Sequence, residues 1–516
     1  MKDQLRSPLS AERDTGAAPP GKAKPALRRR SLARLGDQYR GVRENRRKRA
    51  KLPLLGDGPT FWSRLFSAPH IDGYPLIFFY CLVLILPALF LGRPAEIWQG
   101  TVAILLSPSQ LITDYMAVGG ISATLLNSGI VTLLTLAFLF FKRIQLTGPV
   151  TAALFTISGF SFFGKNLFNS LPIMLGGYLY AKLRDLPYSR TVLVGLFSTA
   201  LSPLTSLVAF GLGLPIWAGV ILGYCLGILV GLVMPPLATA FLRFHAGFNL
   251  YNVGFTAGVV GMFVAGFFRM FGIEVENVSI VIRDRQLILI LWVISACLLL
   301  IFFGLWCHRG SGDEPLGSLL RQLISKPGQL VTDYVSLYGR GVTTVNMGLM
   351  GLVALAYILL VRGRLSGPNL GAILTVIAFS AFGVHIRNAT PVMAGVFLAA
   401  VANRVPFNNE AAVMAALFGT TLAPIAGHYG PLPGLVAGFL HMAVVLNIGG
   451  VHGGVNLYNN GFSGGFVAAV MVTLLEEIRL AKREKHIQSV LVNQDLTAAE
   501  AAGVQEKPAG EKDEKD

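Results

Sequence analysis

The stretch YPLIFFYCLVLILPALFLG (residues 74–92) holds no charged residue, and RQLILILWVISACLLLIFFGLWC (residues 285–307) holds one, at its first position. An α-helix rises about 1.5 Å per residue, so either run can cross the roughly 30 Å apolar core of a bilayer. Further apolar runs fill the chain between residues 70 and 480. Only 14% of the 516 residues are charged, against about 25% in a soluble protein. The charges gather at the two ends, residues 1–70 and 476–516. The fold class read from this pattern is an all-α polytopic membrane protein.

The net charge of +16 comes largely from the N-terminal tail, notably ALRRRSLARLGDQYRGVRENRRKRAK (residues 26–51). Beside membrane spans, such a tail is expected to lie in the cytoplasm against anionic lipid headgroups; nucleic acid is not the expected partner. No secretory leader is expected before the first apolar run, and both termini are expected to be cytoplasmic, in a multi-pass protein of the cell membrane. The four cysteines lie within or at the ends of apolar runs with no CxxC pair, which argues against a disulfide framework or a thiolate zinc site. His245, His428, His441 and His452 have no familiar metal-ligand spacing, so neither metal nor cofactor is expected.

The chain between the tails is written twice. SPSQLITDYMAVGG (107–120) matches KPGQLVTDYVSLYG (326–339), LTGP (146–149) matches LSGP (365–368), and FSFFGKNLFNSLPIMLG (160–176) matches FSAFGVHIRNATPVMAG (379–395). From 107 to 176 the match is gap-free, with 27 of 70 positions identical. Farther on, LFSTALSPL (196–204) matches LFGTTLAPI (417–425), and HAGFNLYNVGF (245–255) matches HGGVNLYNNGF (452–462). The reading is internal duplication: a basic tail (1–70), transmembrane repeat 1 (71–272), a connection (273–284), transmembrane repeat 2 (285–478) and a charged, partly disordered tail (479–516).

The basic load moves between equivalent loops. The loop after the first span of repeat 1 has Arg93, whereas its counterpart in repeat 2 carries Arg309, Arg321, Lys326 and Arg340. By the positive-inside tendency the second repeat is upside down, with residues 93–107 outside and residues 310–326 inside; Arg362 and Arg364 run against this scheme. Inverted repeats place a substrate site near the midplane, between broken helices. The Gly/Asn/Pro-rich stretches 159–177 and 383–395 read as such broken or re-entrant segments.

Within them Asn169 and Asn388 are identical by register, while Lys165 and Asn166 face Val384 and His385, and Arg387 stands opposite Phe168. A ligand without twofold symmetry needs unlike partners, so Lys165, Asn166, Asn169, His385, Arg387 and Asn388 are the candidate substrate-binding residues, expected around one central cavity. The alternative for the cations is snorkelling to headgroups. Asn249, Asn252, Asn456 and Asn459 are expected to wall the same site, or else to cap the last helix of each repeat. Asp114 and Asp333, in the repeated TDY, are candidates for ion coupling; the alternative is helix capping. Asn127 and Asn346 read as interhelical hydrogen bonds, and the GxxxG spacings after Gly223 and Gly434 as close helix packing. GFSFFGKN (159–166) falls short of a phosphate loop: Asn166 replaces the metal-binding hydroxyl, and the second copy lacks the lysine.

The repeated TDY, the GFNLYNVGF/GVNLYNNGF pair and the GKNLFNSLP/HIRNATP pair together resemble the bacterial membrane family catalogued as domain of unknown function 1576, over about residues 70–480. The duplicated polar-aromatic segments are also faintly similar to urea transporters. The first resemblance implies a membrane protein and no activity. The leading expectation is a permease, a secondary transporter for a small polar or anionic solute; a passive urea-like channel is the alternative. An integral membrane enzyme or a scaffold ranks lower, since there is no HExxH, paired-acid motif or nucleophile elbow. A homo-oligomer is compatible with all of these.

Overall fold

The computed structural model describes residues 72–109, 112–273, 279–282, 286–309 and 314–501. The basic tail and its expected lipid contact lie outside the described residues. The first part of the chain forms α1 (Tyr74–Leu91), α2 (Pro94–Leu106), α3 (Tyr115–Phe141), α4 (Gly148–Phe160), α5 (Leu167–Leu183), the interrupted α6 (Val192–Gly211), α7 (Ile216–Phe241) and α8 (Asn252–Met270). The second forms α9 (Gln286–Arg309), α10 (Leu316–Ile324), α11 (Tyr334–Tyr338), α12 (Arg340–Leu360), α13 (Gly367–Phe379), α14 (Ile386–Ala402), the interrupted α15 (Glu410–Tyr429), α16 (Pro431–Ile448) and α17 (Asn459–Ala501). A two-residue parallel strand pair, β1 (Ile112–Thr113) with β2 (Ser279–Ile280), is the one departure from helix among the described elements. The protein is all-helical, with ten helices among the described residues long and apolar enough to cross a membrane.

Composition decides which helices are inside. α7 and α9, rich in Leu, Ile and Val, are 28% and 33% buried over their most apolar windows, whereas the interrupted α6 and α15 are 89% and 83% buried. Every residue of α4 and of α13 is buried. Interrupted and short helices expose backbone polar groups that lipid cannot satisfy, so they occupy the centre and the uninterrupted ones face outward.

Local chemistry explains the central elements. Asp114 and Asp333 are the N-caps of α3 and α11, accepting from Met116 N (2.8 Å) and Ser336 N (3.2 Å). Six residues later the chain breaks at Gly120 (φ 83°, ψ 164°) and at Gly339 (φ 83°, ψ 165°), a conformation open to glycine alone without strain. α4 then runs antiparallel to α3, because Ser158 bonds to Ser128 (2.8 Å) and Ser161 O accepts from Asn127 (2.8 Å). The chain reverses at residues 161–166, and α5 climbs back along α3 until Tyr178 lies 4.8 Å under the Lys142 ammonium. α4 and α5 therefore form a helical hairpin. α13 and α14 form the other, with Asn346 donating to Ser380 O (2.8 Å) and Val384 O (3.0 Å), as Asn127 does to Ser161 O and Lys165 O (3.0 Å).

The two hairpins lie side by side, and α4 and α13 are antiparallel. Gly148, which starts α4, abuts Ala381 at the second tip; Gly367, which starts α13, abuts Phe162 at the first; Gly159 meets Gly371 between them. The two tip contacts are mirrors of each other at an offset of 219 residues, the pattern of an isologous interface. At the C-terminal end, α17 extends to Ala501, so residues 479–501 continue a helix where the sequence suggested a tail. Its 43 residues span about 65 Å, twice what a bilayer core needs.

A Cβ on Gly367 would lie 2.4 Å from Phe162 O and 2.5 Å from Asp114 Oδ1, both fixed by the hairpin contact. Gly367→Ala is therefore expected to cost about 1–3 kcal/mol by overpacking. It should lower the thermal unfolding midpoint of the purified protein, read by fluorescence-detected size exclusion. Gly317→Ala in α10, with open space around it, should leave the midpoint unchanged.

Candidate functional site

The hairpin tips are built from amides. Asn169 donates to Gly164 O (3.0 Å) and Ser206 Oγ (3.0 Å), while its oxygen accepts from Asn166 N (2.9 Å). Asn388 repeats this with Gly383 O (2.7 Å) and His385 N (2.9 Å). Asn166 caps α5 and also reaches Ile104 O (3.0 Å) and the Tyr115 hydroxyl (3.3 Å). His385 is buried, its Nε2 within 2.8 Å of Lys326 O. Lys165 is buried as well, its ammonium donating to Thr199 Oγ1. Arg387 is exposed on the outer side of α14.

These residues do not line one cavity. Lys165, Asn166 and Asn169 sit at the first tip, beside the start of α13, and His385 and Asn388 sit at the second tip, at the far end of α13. Thirteen helical residues, about 20 Å, separate the two groups. The expectation of a single cavity treated the matching register of the tips as proximity. Antiparallel packing instead sends them to opposite ends.

Asp114 and Asp333 exchange caps between the halves. Beyond its own helix, Asp333 Oδ1 accepts from Gly148 N at the start of α4 (2.9 Å), and Asp114 accepts from Gly367 N at the start of α13 and from Ile282 N (3.0 Å). A carboxylate facing helix N-termini is held by N–H donors and by the helix dipole, so both residues work as static caps in this geometry.

The repeated HxGxNLYNxGF segments also cross between halves. The breaks in α6 and α15 free backbone carbonyls; Ala200 O accepts from Leu457 N (3.0 Å) and Thr421 O from Leu250 N (3.0 Å). Asn249 donates to Gly461 O (2.9 Å), and Asn456 to Gly254 O (3.2 Å). Asn252 and Asn459 face inward within their own halves, bonded to His245 (3.0 Å) and His452 (2.8 Å), and they donate to Ala238 O (3.0 Å) and Val445 O (3.4 Å). All four amides are thus engaged with the protein.

What these crossings bring together is aromatic. Tyr251 and Tyr458 lie 4.9 Å apart at the centre; Tyr251 packs on Phe379 (4.4 Å) and Tyr458 on Phe160 (4.6 Å). Phe197 and Phe418 close the cluster, at 5.7 Å from Phe379 and 6.1 Å from Phe160. Among the described residues both tyrosine hydroxyls are fully buried without a hydrogen bond of normal geometry, and so is that of Thr156, which neighbours Tyr458, while Thr420 neighbours Tyr251. Against one side of this plug lies a cavity of about 130 Å³, lined by Pro149, Phe197, Tyr251, Phe379, Phe382 and Tyr458 and reaching the exposed Val331. The sequence did signal the plug, because each of its six rings is duplicated in register, but identical apolar residues also read as ordinary core.

A family described as a protein of unknown function, DUF1576, has a model that matches residues 93–270 and 314–477. The chain belongs to this family. The two matched regions contain both hairpins and the whole plug. No curated protein and no solved structure matches the chain.

For this DUF1576 member the plug and its amide clasps make opposite predictions. Asn249→Ala removes the bond to Gly461 O and leaves the Thr421 hydroxyl without its acceptor, while Tyr251 N keeps its bond to Thr421, so a loss of roughly 1–3 kcal/mol is expected. Tyr251→Phe removes a hydroxyl that makes no hydrogen bond of normal geometry among the described residues, and its unfolding midpoint should stay equal or rise. Differential scanning fluorimetry of the two purified variants checks both.

Proposed function

We propose that this protein is a permease for a small polar or anionic solute, with the aromatic plug as its closed gate. The observation that carries the reading is the plug's position, where two antiparallel helical hairpins and two interrupted helices converge on the buried hydroxyls of Tyr251, Tyr458 and Thr156. A chain that only needed to pack helices would gain nothing from interrupting them, since each interruption leaves backbone groups that must be satisfied elsewhere. Interruptions at matched positions in two halves are the pattern of transporters that bind solute between repeats. The antiparallel contact of α4 and α13 supports an inverted duplication in the bilayer. In this reading Tyr251, Tyr458 and Thr156 offer hydrogen bonds to the solute, and the Asn and Asp residues hold the frame around them. The termini lie in the cytoplasm, the basic tail rests on anionic lipid, and no catalytic step is assigned.

The test is uptake into proteoliposomes, with solutes chosen by a thermal-shift screen against metabolites. Tyr458→Phe should slow uptake about tenfold per folded molecule, the equivalent of about 1.4 kcal/mol, at unchanged folded yield. Phe379→Ala should open a leak to the same solute. Uptake that requires an ion gradient marks a secondary transporter, and uptake down the solute gradient alone marks the channel alternative. No flux of any solute through wild type and the Phe379→Ala variant alike would overturn the proposal.

Topology is checked separately. Gln99 in α2 and Ser318 in α10 are both exposed and hold equivalent places in the two halves. On a cysteine-free background, Gln99→Cys should react with an impermeant thiol reagent from outside and Ser318→Cys from the cytoplasmic side only.

A further inference from the structure

We propose that the groove between α3 and α5 is a binding site for a carboxylate with an apolar tail, entered sideways from the bilayer. This site is separate from the plug, and the proposal does not depend on transport. The groove encloses about 340 Å³, within the range of cavities that hold small organic ligands. Its walls are apolar, formed by Leu134, Phe138, Leu171 and Leu175, and Lys165 with Ser170 stands at its inner end. Leu134, Leu171 and Leu175 are 47%, 52% and 43% exposed on a surface that faces acyl chains, so the opening is lateral. The outer end carries Lys142, seated over the Tyr178 ring.

Charge selects the ligand. No acidic residue lines the groove, and no salt bridge to Lys165 occurs among the described residues. An ammonium has three donors, and Thr199 takes one. A cation at this depth is costly without a partner, and a carboxylate supplies an acceptor and the opposite charge together. The second half shows that the lysine is not needed to build the tip. There the same reversal, with the same asparagine bonds to the carbonyls of Ser380 and Val384, is made with Val384 in place of Lys165. Lys142 is likewise replaced, by Val361. Both cations of the groove therefore belong to one half only, on a frame that folds without them. An apolar tail lying along α5 between Leu134 and Leu171 would run from Lys165 outward into the acyl-chain region.

The experiment is saturation binding of radiolabelled decanoate to the full-length protein in phosphatidylcholine nanodiscs, with empty nanodiscs as blank. Saturable binding at one site per chain is expected. Lys165→Met should weaken it at least tenfold, Lys165→Arg should largely restore it, and Leu171→Trp, which fills the groove from a lipid-facing position, should abolish it. Decanol should compete at least tenfold less well than decanoate, and acetate hardly at all. Where Lys165→Met does not fold, the Leu171→Trp variant and the two competitors decide. Wild-type binding by Leu171→Trp, equal competition by decanol, or acetate binding as tight as decanoate would each overturn the proposal. The first places the ligand elsewhere, the second removes the role of charge, and the third removes that of the walls.

Discussion

Backbone reversed inside an apolar interior has to find its hydrogen bonds within the protein, and the rest of this structure depends on how that is done. At each hairpin tip one asparagine from the neighbouring helix, Asn127 or Asn346, holds two carbonyls, and a second, Asn169 or Asn388, holds the glycine carbonyl at the turn. The starts of the hairpin helices are closed from the other half, by Asp333 on Gly148 and Asp114 on Gly367. A single hydrogen bond contributes only about 1 kcal/mol net, yet leaving a buried group without one costs about 1–3 kcal/mol. The force of the arrangement lies in the penalty avoided. Thr147 and Ser366 cap the same two helices from within their own halves, at Val150 N and Asn369 N, so each start is closed from both sides.

The same logic joins the second layer. The interruptions in α6 and α15 leave carbonyls at Ala200 and Thr421, and each is capped by a leucine N–H from the opposite HxGxNLYNxGF segment. Those bonds carry Tyr251 and Tyr458 to the centre, where they complete a six-ring cluster with no charged member. Residues identical in both halves hold the frame, and those that differ lie on the same backbone arrangement with other chemistry. Lys165 against Val384 is the sharpest such difference, because the backbone around the two residues is bonded alike.

Much of the candidate site was readable as residue types and little of it as geometry. The tip amides, the TDY aspartates and the glycine breaks stand out in the sequence because polar and flexible residues are conspicuous in apolar runs. Which way they turn does not stand out. Asn249 and Asn456 looked like walls of a solute site, and they bond backbone of the opposite half instead. Arg387 looked buried with its neighbours, but one residue either way on a helix turns a side chain by about 100°, and it faces outward.

By itself the sequence determined the membrane class, the all-helical fold, the register of the repeated motifs and the places where glycine and proline interrupt apolar runs. These follow from local quantities: the length of an apolar run, a capping side chain, a glycine free to take positive φ. Only the tertiary structure decided that the hairpins lie antiparallel, that their tips end about 20 Å apart, that the aspartates cap the opposite half and that tyrosines, not amides, occupy the centre. Each of those is a pairing between residues some 200 positions apart. A chain in which the same motifs recur offers every such pairing in two versions, within a half or across it, and the versions differ only in whether buried donors and acceptors all find partners once the helices have packed.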